Sequence, residues 1–555
     1  MNKFLKYITL AVAPLMFTAC LDETDMSRTY VSQKELDEAP KAFSSLVSAM
    51  TSALCGNYVY WGNKTAGSAC DYGYPSVMLQ NDIMGQDIAP LNTAGTEWFG
   101  AWYSASTALN PGYTDCNMPW TYYYGWINNC NIVLKTAGSE PTDAQKTGVG
   151  QAYALRAMFY LDLVRMYVPQ SYTANPEALS VPIVTDTTTL DKKRNNPRAT
   201  QKEALAFILG DLDQAEKYLT ENTDPYTVDL TVVYGLKARA YQWMADWPNA
   251  EKYAKLAQNG YTVMTGEQYT SRENGFAEPT GSWMFALKEN PTDYIVTNND
   301  GDDCWASKMV CESGSGCGYS ANYGQPLYID EHLYSSIPST DFRKKCFLPF
   351  DLDSKSDADR LKELAGYSEE PQLLLNAGQA TTSNQLNGLN VKFRNAGGAA
   401  GRASQYTGWC VAIPLMRVEE MKLIEAEAAG MQNEARGIQL LTEFAKTRDP
   451  KYVYGTHNEA YGNSSTSAFQ NEVWWECRAE FWGEGLAMYD IKRLNKGIIR
   501  SYAGTNHPEG CRWNTTSTPA WMTRPISTSE TQYNHSIVNN PSITAPTDDS
   551  PEYQW

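Results

Sequence analysis

Two glutamates in the C-terminal part of the chain have the spacing of a catalytic carboxylate pair. Glu480 and Glu484 are four residues apart, which in a helix places their Cβ atoms about 6 Å apart on one face. Retaining glycosidases hold two carboxyl groups about 5–5.5 Å apart, but these usually come from separate strands or loops, and Arg478 and Arg493 lie close by in this sequence. We therefore interpret both glutamates as partners in structural ion pairs, with Gly485 letting a neighbouring helix approach.

Other residue types that support catalysis or metal binding lack the required spacing. The histidines, His332, His457, His507 and His535, are scattered and none lies at helical spacing from another, so no zinc site is predicted. The chain has no G-x-S-x-G, no phosphate-binding Gly-rich loop before a helix and no histidine beside a plausible nucleophile. We expect no catalytic residue, no metal and no cofactor.

Further charged residues lie in segments with helical apolar periodicity. Arg156 stands in an otherwise apolar helix and is interpreted as the buried partner of an acid rather than as an anion site. Glu425 and Glu427 are two residues apart and face two directions of a helix. We predict helix–helix ion pairs for both.

The first twenty residues, MNKFLKYITLAVAPLMFTAC, have the order of an export signal. Lys3 and Lys6 precede an apolar stretch and then two small residues before Cys20, which is typical of a secretory signal removed on export. Small residues followed by cysteine resemble the bacterial lipobox, in which the cysteine is lipidated. We predict a signal peptide at 1–19 and lipidation of Cys20; the alternative is a cleaved signal with an unmodified first cysteine.

The residues after Cys20 specify where and how the chain is held. An acidic cluster follows the cysteine and is similar to the signal for outward display on the outer membrane. No other stretch has the roughly 18 apolar residues that span a bilayer, so the lipid is the only predicted membrane contact.

Composition limits the remaining chain to a few function classes. The 555 residues carry a formal net charge of −18, and loss of the signal with its two lysines and no acids takes this to −20. Such a charge repels phosphate backbones and anionic headgroups, so nucleic acid is not an expected partner. The 36 Tyr and 16 Trp favour a recognition surface. No linker separates independent units, which predicts one large domain with insertions.

Twelve cysteines, less the predicted lipidated one, leave an odd number for disulfides in an oxidising envelope. The pairing is open. Plausible pairs are Cys55 with Cys70, Cys116 with Cys130, or two of Cys304, Cys311 and Cys317.

Aromatic and polar residues cluster in two segments that are poor in helix signal, roughly 51–118 and 261–410. A sugar ring needs flat aromatic rings beside its apolar face and amide or carboxylate groups around its hydroxyl rim. Long irregular insertions often carry such sites. The alternative for each ring is that it fixes its own loop to the scaffold. The candidate ligand contacts are Trp98, Trp102 and Tyr103 in the first segment and Trp305, Asn322 and Tyr323 in the second.

Amphipathic helices must position these segments. Capping boxes at Thr142, Thr200 and Ser467 predict long helices that follow them, the last one reaching about Leu494. Helix pairs are predicted at 230–244 with 248–258 and at 414–429 with 433–447, with the dimensions of tetratricopeptide-like hairpins. The run SWMFAL alternates like a buried strand.

Four motifs in order resemble the SusD/RagB family of outer-membrane nutrient-binding lipoproteins. They are WTYYYGWINNCNIVL; GQAYALRAMFYLDLVRMY with the later VPIV; IPLMRVEEMKLIEAEA; and CRAEFWGEGLAMYDIKR. Residues at matching places are Arg156, Arg417, Glu425, Arg478, Glu480, Glu484, Gly485, Asp490 and Arg493.

This resemblance implies a mostly α fold, a tetratricopeptide-like helical-hairpin scaffold with large irregular loop insertions and little β structure. It divides residues 20–555 into an N-terminal part at 20–260, an irregular insertion at 261–410 and a C-terminal part with a tail at 411–555. It also implies a role without catalysis, in which the protein binds a glycan and passes it to a SusC-type TonB-dependent transporter. Peptide capture on the same scaffold, a surface glycoside hydrolase and a scaffold with protein partners alone remain alternatives.

Overall fold

A computed structural model of the chain describes residues 42–56, 70–90, 99–297, 304–317, 326–380, 385–458 and 466–555. The predicted signal peptide and Cys20 lie outside these ranges. Three of the predicted ligand contacts, Trp98, Asn322 and Tyr323, also lie outside them.

Helices dominate the described residues, and the predicted mostly α fold is confirmed. The first helices are α1 Ala42–Ser52, α2 Tyr74–Ile83, α3 Gly100–Tyr103, α4 Thr114–Ala137, α5 Asp143–Tyr167, α6 Leu190–Arg194, α7 Gln201–Tyr218, α8 Leu230–Met244, α9 Trp247–Ala257 and α10 Gly266–Tyr269. The following helices are α11 Tyr294–Thr297, α12 Trp305–Met309, α13 Glu331–Ser336, α14 Asp357–Leu364, α15 Pro371–Ala380, α16 Gly398–Ala403 and α17 Gln405–Gly408. The C-terminal helices are α18 Val418–Gln432, α19 Glu434–Ala445, α20 Ala468–Glu480, α21 Ala487–Leu494 and α22 Thr528–Tyr533.

Short 3₁₀ turns and strands complete the described elements. The 3₁₀ turns are Ala53–Cys55, Thr107–Leu109, Phe342–Cys346, Leu352–Ser354 and Ala520–Met522. The strands are β1 Ile88–Pro90, β2 Trp283–Lys288, β3 Leu327–Ile329 and β4 Ala412–Arg417.

The long helices form a layered scaffold of neighbouring antiparallel pairs. Helix α5 packs against α4 and α7, and the pair α8 and α9 continues through α18 to α19. Capping boxes are present at Thr142 with Gln145 and at Thr200 with Glu203, where each satisfies backbone N–H groups at a helix start. The predicted hairpin at 230–258 is confirmed as α8 and α9.

Two antiparallel strand pairs contribute the β structure of the described ranges, β1 with β3 and β2 with β4. The strand predicted from SWMFAL is confirmed as β2. The predicted start of the 414–429 helix is wrong, because residues 412–417 extend along β2 and helix α18 begins only at Val418. The β pairing overrides the helical apolar spacing there.

The predicted single helix from Ser467 to about Leu494 is also wrong. Helix α20 starts with the predicted capping box of Ser467 and Gln470 and ends at Glu480. A turn over 481–486 separates it from α21, and Gly483 and Gly485 in this turn have φ of +77° and +83°, which non-glycine residues rarely adopt. Glu480 and Glu484 therefore do not share a helix face.

The predicted disulfide between Cys116 and Cys130 does not form. Both cysteines lie in α4, where fourteen residues span about 21 Å, far beyond a disulfide. Cys304, Cys311 and Cys317 are buried free thiols, as is Cys55.

Within the described ranges, no helix combines the length and the apolar character needed to cross a membrane.

Candidate functional site

The structure places the first predicted ligand contacts in the core. Trp102 is 2% exposed and packs against Phe99, with 5.8 Å between ring centroids. Tyr103 is fully buried, and its hydroxyl lies 2.8 Å from Nδ1 of His507. Neither ring has a face open to a ligand, so their prediction as ligand contacts is corrected to a packing role. The local cause is α3, a single turn enclosed between α2 and its neighbours.

Trp305 is corrected in the same way. Its ring is 1% exposed and lies edge-on to Phe393 at 4.7 Å. It begins α12 behind an N-cap at Cys304, whose sulfur accepts from the backbone N–H of Ser307. The aromatic ring therefore fixes its segment to the core, which is the alternative left open above. Trp98, Asn322 and Tyr323 remain predictions.

The described ends of the two predicted ligand-binding segments are neighbours. Pro90, which precedes residues 91–98, is the register partner of Leu327, which follows residues 318–325. The two segments are more than 200 residues apart in the sequence, yet both adjoin the small sheet of β1 and β3 at paired residues. The structure brings the ends of both segments to one side of the molecule.

Two exposed tyrosines lie in the irregular insertion at 261–410. Tyr294 in α11 is 39% exposed and Tyr406 in α17 is 49% exposed, and the two short helices contact each other. The side chain of Gln405 donates to the carbonyl of Val296 at 2.7 Å and joins the helices. We call this pair, Tyr294 and Tyr406, the aromatic face.

The aromatic face adjoins the described end of the segment that carries Asn322 and Tyr323. The N–H of Gly314 donates to the carbonyl of Arg402 at 2.8 Å, and Sγ of Cys317 lies 3.4 Å from the carbonyl of Gly401. Residues 314–317 thus run along α16, directly before α17. Both exposed tyrosines lie in the segment 261–410, which the sequence predicts to carry ligand contacts.

A buried acid lies in the same insertion as the aromatic face. Glu289 is fully buried at the end of β2, and burial raises the pKa of its carboxyl to about 8. The Glu289 carboxyl is therefore mostly neutral at pH 7.

The two tyrosines were missed by sequence reasoning, which singled out the Trp-containing runs. Tyr294 stands in NPTDYIV and Tyr406 in GRASQYTGW, both within the insertion at 261–410. The available signal was a single tyrosine among polar residues and glycines. Such a run cannot bury a large ring by itself, which favours an exposed tyrosine.

Glu480 and Glu484 lie in a buried cluster of charges instead of an open cleft. The carboxylate of Glu480 accepts from Arg417 and from Arg448 at 3.0 Å and from Arg343 at 3.3 Å. The carboxylate of Glu484 accepts two bonds from Arg417 at 2.8 Å. Because cations hold the oxygens of both buried side chains, neither carboxylate is free to protonate or attack a glycosidic bond.

We define the charge cluster as these buried residues together with the neighbouring acids and amine. Its members are Asp341, Arg343, Lys392, Arg417, Glu419, Arg448, Glu476, Glu480 and Glu484. They come from the insertion at 261–410, β4, α18, the residues directly after α19, α20 and the turn after α20. The cluster therefore fixes the insertion that carries the aromatic face to the helical scaffold.

The predicted partners of the two glutamates are different from the observed ones. Arg478 pairs with Asp87 at 2.7 Å, next to β1. Arg493 pairs with Glu427 and Asp490, each at 2.7 Å. The pairs of Arg478 with Asp87 and of Arg493 with Glu427 join α20 and α21 to other elements, whereas Arg493 and Asp490 both lie in α21.

The remaining motif residues are also in structural contacts. Arg156 forms a two-pronged pair with Asp211, both bonds 2.8 Å, and contacts Asp186 at 3.1 Å, in line with its interpretation as the partner of an acid. Glu425 accepts from the side chain of Gln258 at 2.7 Å, so its described partner is an amide and not the predicted cation.

Two family models match separate parts of the chain. Residues 66–241 match a SusD-like family described as starch-binding and associating with the outer membrane. Residues 357–542 match the SusD family. A SusD-like protein of Formosa agariphila is 20% identical over 484 residues, which cover 84% of this chain and 85% of the relative.

Solved structures with the same fold include two carbohydrate-binding proteins. A SusD-like carbohydrate-binding protein from Bacteroides vulgatus is 20% identical, with a TM-score of 0.67 over 89% of this chain and 96% of that one. Surface glycan-binding protein A from Bacteroides thetaiotaomicron, solved with laminarihexaose, is 18% identical, with a TM-score of 0.62 over 90% and 99%. At this identity the likeness concerns the fold.

Proposed function

Because the chain belongs to the SusD/RagB family, we propose that it is a surface lipoprotein that binds an oligosaccharide or polysaccharide and delivers it to a SusC-type transporter. The observation that carries the proposal is the aromatic face, where Tyr294 and Tyr406 expose rings on two joined helices. Such rings stack on the apolar face of a sugar. A relative of the same fold solved with laminarihexaose supports the class of ligand.

The charge cluster supports the proposal of binding without catalysis. Its carboxylates are the only pair with glycosidase spacing that the sequence suggested, and Arg417 occupies both of them. We propose that the predicted lipid on Cys20 holds the protein beside the transporter. Recovery of the transporter with the affinity-tagged, lipidated protein tests this part.

Removal of both exposed rings is expected to weaken glycan binding. The double variant Tyr294→Ala/Tyr406→Ala loses about 1–3 kcal/mol of stacking, which raises Kd about 5- to 150-fold. Calorimetric titration of residues 21–555 with laminarihexaose, other hexaoses and peptides of similar length measures it. Tyr113→Ala is the matched control, because this tyrosine is 52% exposed before α4, in a different part of the chain.

Three results would count against the proposal. Equal affinity in the wild type and the double variant would show that the aromatic face does not bind the glycan. Heat from peptides and none from any glycan would favour peptide capture. Release of reducing ends from a hexaose, abolished by Glu484→Gln in a folded protein, would establish an enzyme.

A further inference from the structure

A cavity opens between helix α4 and the C-terminal tail. It lies between α4, the segment 182–184, the residues around α6, and α22. Its volume is about 190 Å³, smaller than the usual ligand pocket of about 300–1,000 Å³, so it limits a ligand to a small molecule or a single unit of a larger one. It shares no residue and no element with the aromatic face.

Hydrogen bonds hold the walls of this cavity in place. The hydroxyl of Tyr124 donates to the carbonyl of Pro182 at 2.7 Å, which fixes its ring against the 182–184 segment. The side chain of Asn534, directly after α22, donates to the carbonyl of Asn196 at 2.7 Å and to Glu530 at 2.9 Å. The tail is thus fastened across from α4, and the cavity is formed before any ligand binds.

The lining combines aromatic rings with a polar rim. Tyr124 and Ile127 provide apolar surface on α4, and Tyr533 on α22 is 43% exposed. Asn128, Lys193 and Glu530 supply an amide, an ammonium and a carboxylate around these groups.

The rim selects against most other ligands. Lys193 and Glu530 have opposite formal charges and offer a donor and an acceptor side by side, while the guanidinium of Arg194 lies 6.0 Å from the centroid of the Tyr533 ring. An entirely apolar ligand would leave Asn128 and Lys193 facing it without hydrogen bonds. A neutral molecule with an apolar face and several hydroxyl groups satisfies both the rings and the rim.

We propose that this cavity is a second glycan-binding site that takes one neutral pyranose unit. The proposal depends on the proposed function for the class of ligand, but it concerns a different site. Tyr533 stacks on the ring of the sugar, while Asn128, Lys193 and Glu530 bond to its hydroxyl groups. Two sites on one body would hold a long glycan at two points, so that the second contact forms at a high effective concentration.

Saturation-transfer NMR of residues 21–555 with the methyl glycosides of glucose, galactose, mannose and xylose tests the proposal. In Tyr533→Ala we expect Kd of at least one glycoside to rise about fivefold or more. Asn128→Ala, on an exposed part of α4, should raise it by a smaller factor without affecting the fold. Tyr113→Ala is the control, as an exposed tyrosine that does not line the cavity.

The aromatic-face double variant separates the two proposals. If it keeps the glycoside signal that Tyr533→Ala loses, the cavity is a separate site. If Tyr533→Ala and Asn128→Ala bind every glycoside as the wild type does, or if no glycoside binds the wild type, the second site is overturned. If the double variant loses hexaose binding and the cavity variants retain it, the proposed function stands, whether or not the second site exists.

Discussion

Glu480→Gln is expected to lower the free energy of unfolding by about 3–5 kcal/mol. Glu480 is fully buried, and three guanidinium groups, those of Arg343, Arg417 and Arg448, converge on its carboxylate. The amide keeps the shape of the side chain and removes its charge, so the three cations lose a shared buried partner. The midpoint of urea unfolding, followed by tryptophan fluorescence, measures the change.

An exposed ion pair provides the matched control. Glu177 lies 3.5 Å from Lys202, and both side chains are more than half exposed. Glu177→Gln makes the same chemical change where solvent screens the charges, so we expect a loss within about 0.5 kcal/mol. Equal midpoints for the two variants would show that the charge cluster does not stabilise the fold.

Glu480→Gln should also change how the free energy of unfolding depends on pH. Burial alone would raise the pKa of Glu480, but Arg448, Arg417 and Arg343 lower it well below its usual value of 4.5. Because the folded-state pKa is below the unfolded one, the stabilisation is present above about pH 4.5 and is lost as pH falls. Glu480→Gln should therefore lose less stability than the wild type between about pH 5 and pH 3.

Local signals in the sequence were sufficient for the helical scaffold. Each capping box is contained within four residues, so Thr142, Thr200 and Ser467 marked helix starts without any tertiary information. The family motifs then ordered the helices into one fold. Where strand pairing competed with periodicity, as at Pro414, the partner strand was more than 120 residues away and the prediction failed.

The candidate site was less predictable, because burial of a ring depends on what packs over it. Trp102 and Trp305 stand in polar, aromatic runs like those of Tyr294 and Tyr406, yet the first two are buried and the second two exposed. The partners of ion pairs also depend on which elements pack together. Arg417 reaches Glu480 across 63 residues of sequence, whereas the arginines adjacent to the pair in sequence face other elements.

Gly485→Ala is expected to destabilise the protein by about 2–5 kcal/mol, through backbone strain and overpacking. Gly485 has φ of +83°, and a Cβ there would lie 2.7 Å from Cβ and 2.8 Å from Cα of Met78 in α2. Its N–H also donates to the carboxylate of Asp82 at 2.8 Å, so the turn cannot move away without breaking that bond. Sequence reasoning expected a close helix approach at Gly485; the structure places it in a turn against α2.

The control for this substitution should have the opposite sign. Gly210 lies within α7 with no atom near the position of an added Cβ, so Gly210→Ala should stabilise by about 0.5–1 kcal/mol through helix propensity. Urea midpoints of both variants give the comparison. If Gly485→Ala unfolds with the wild type or above it, the approach of α2 to the turn is not a constraint on the fold. If it is destabilised as expected, the turn holds α2, and with it Tyr72, whose ring centroid lies 5.9 Å from that of Phe99, in a position that alanine does not permit.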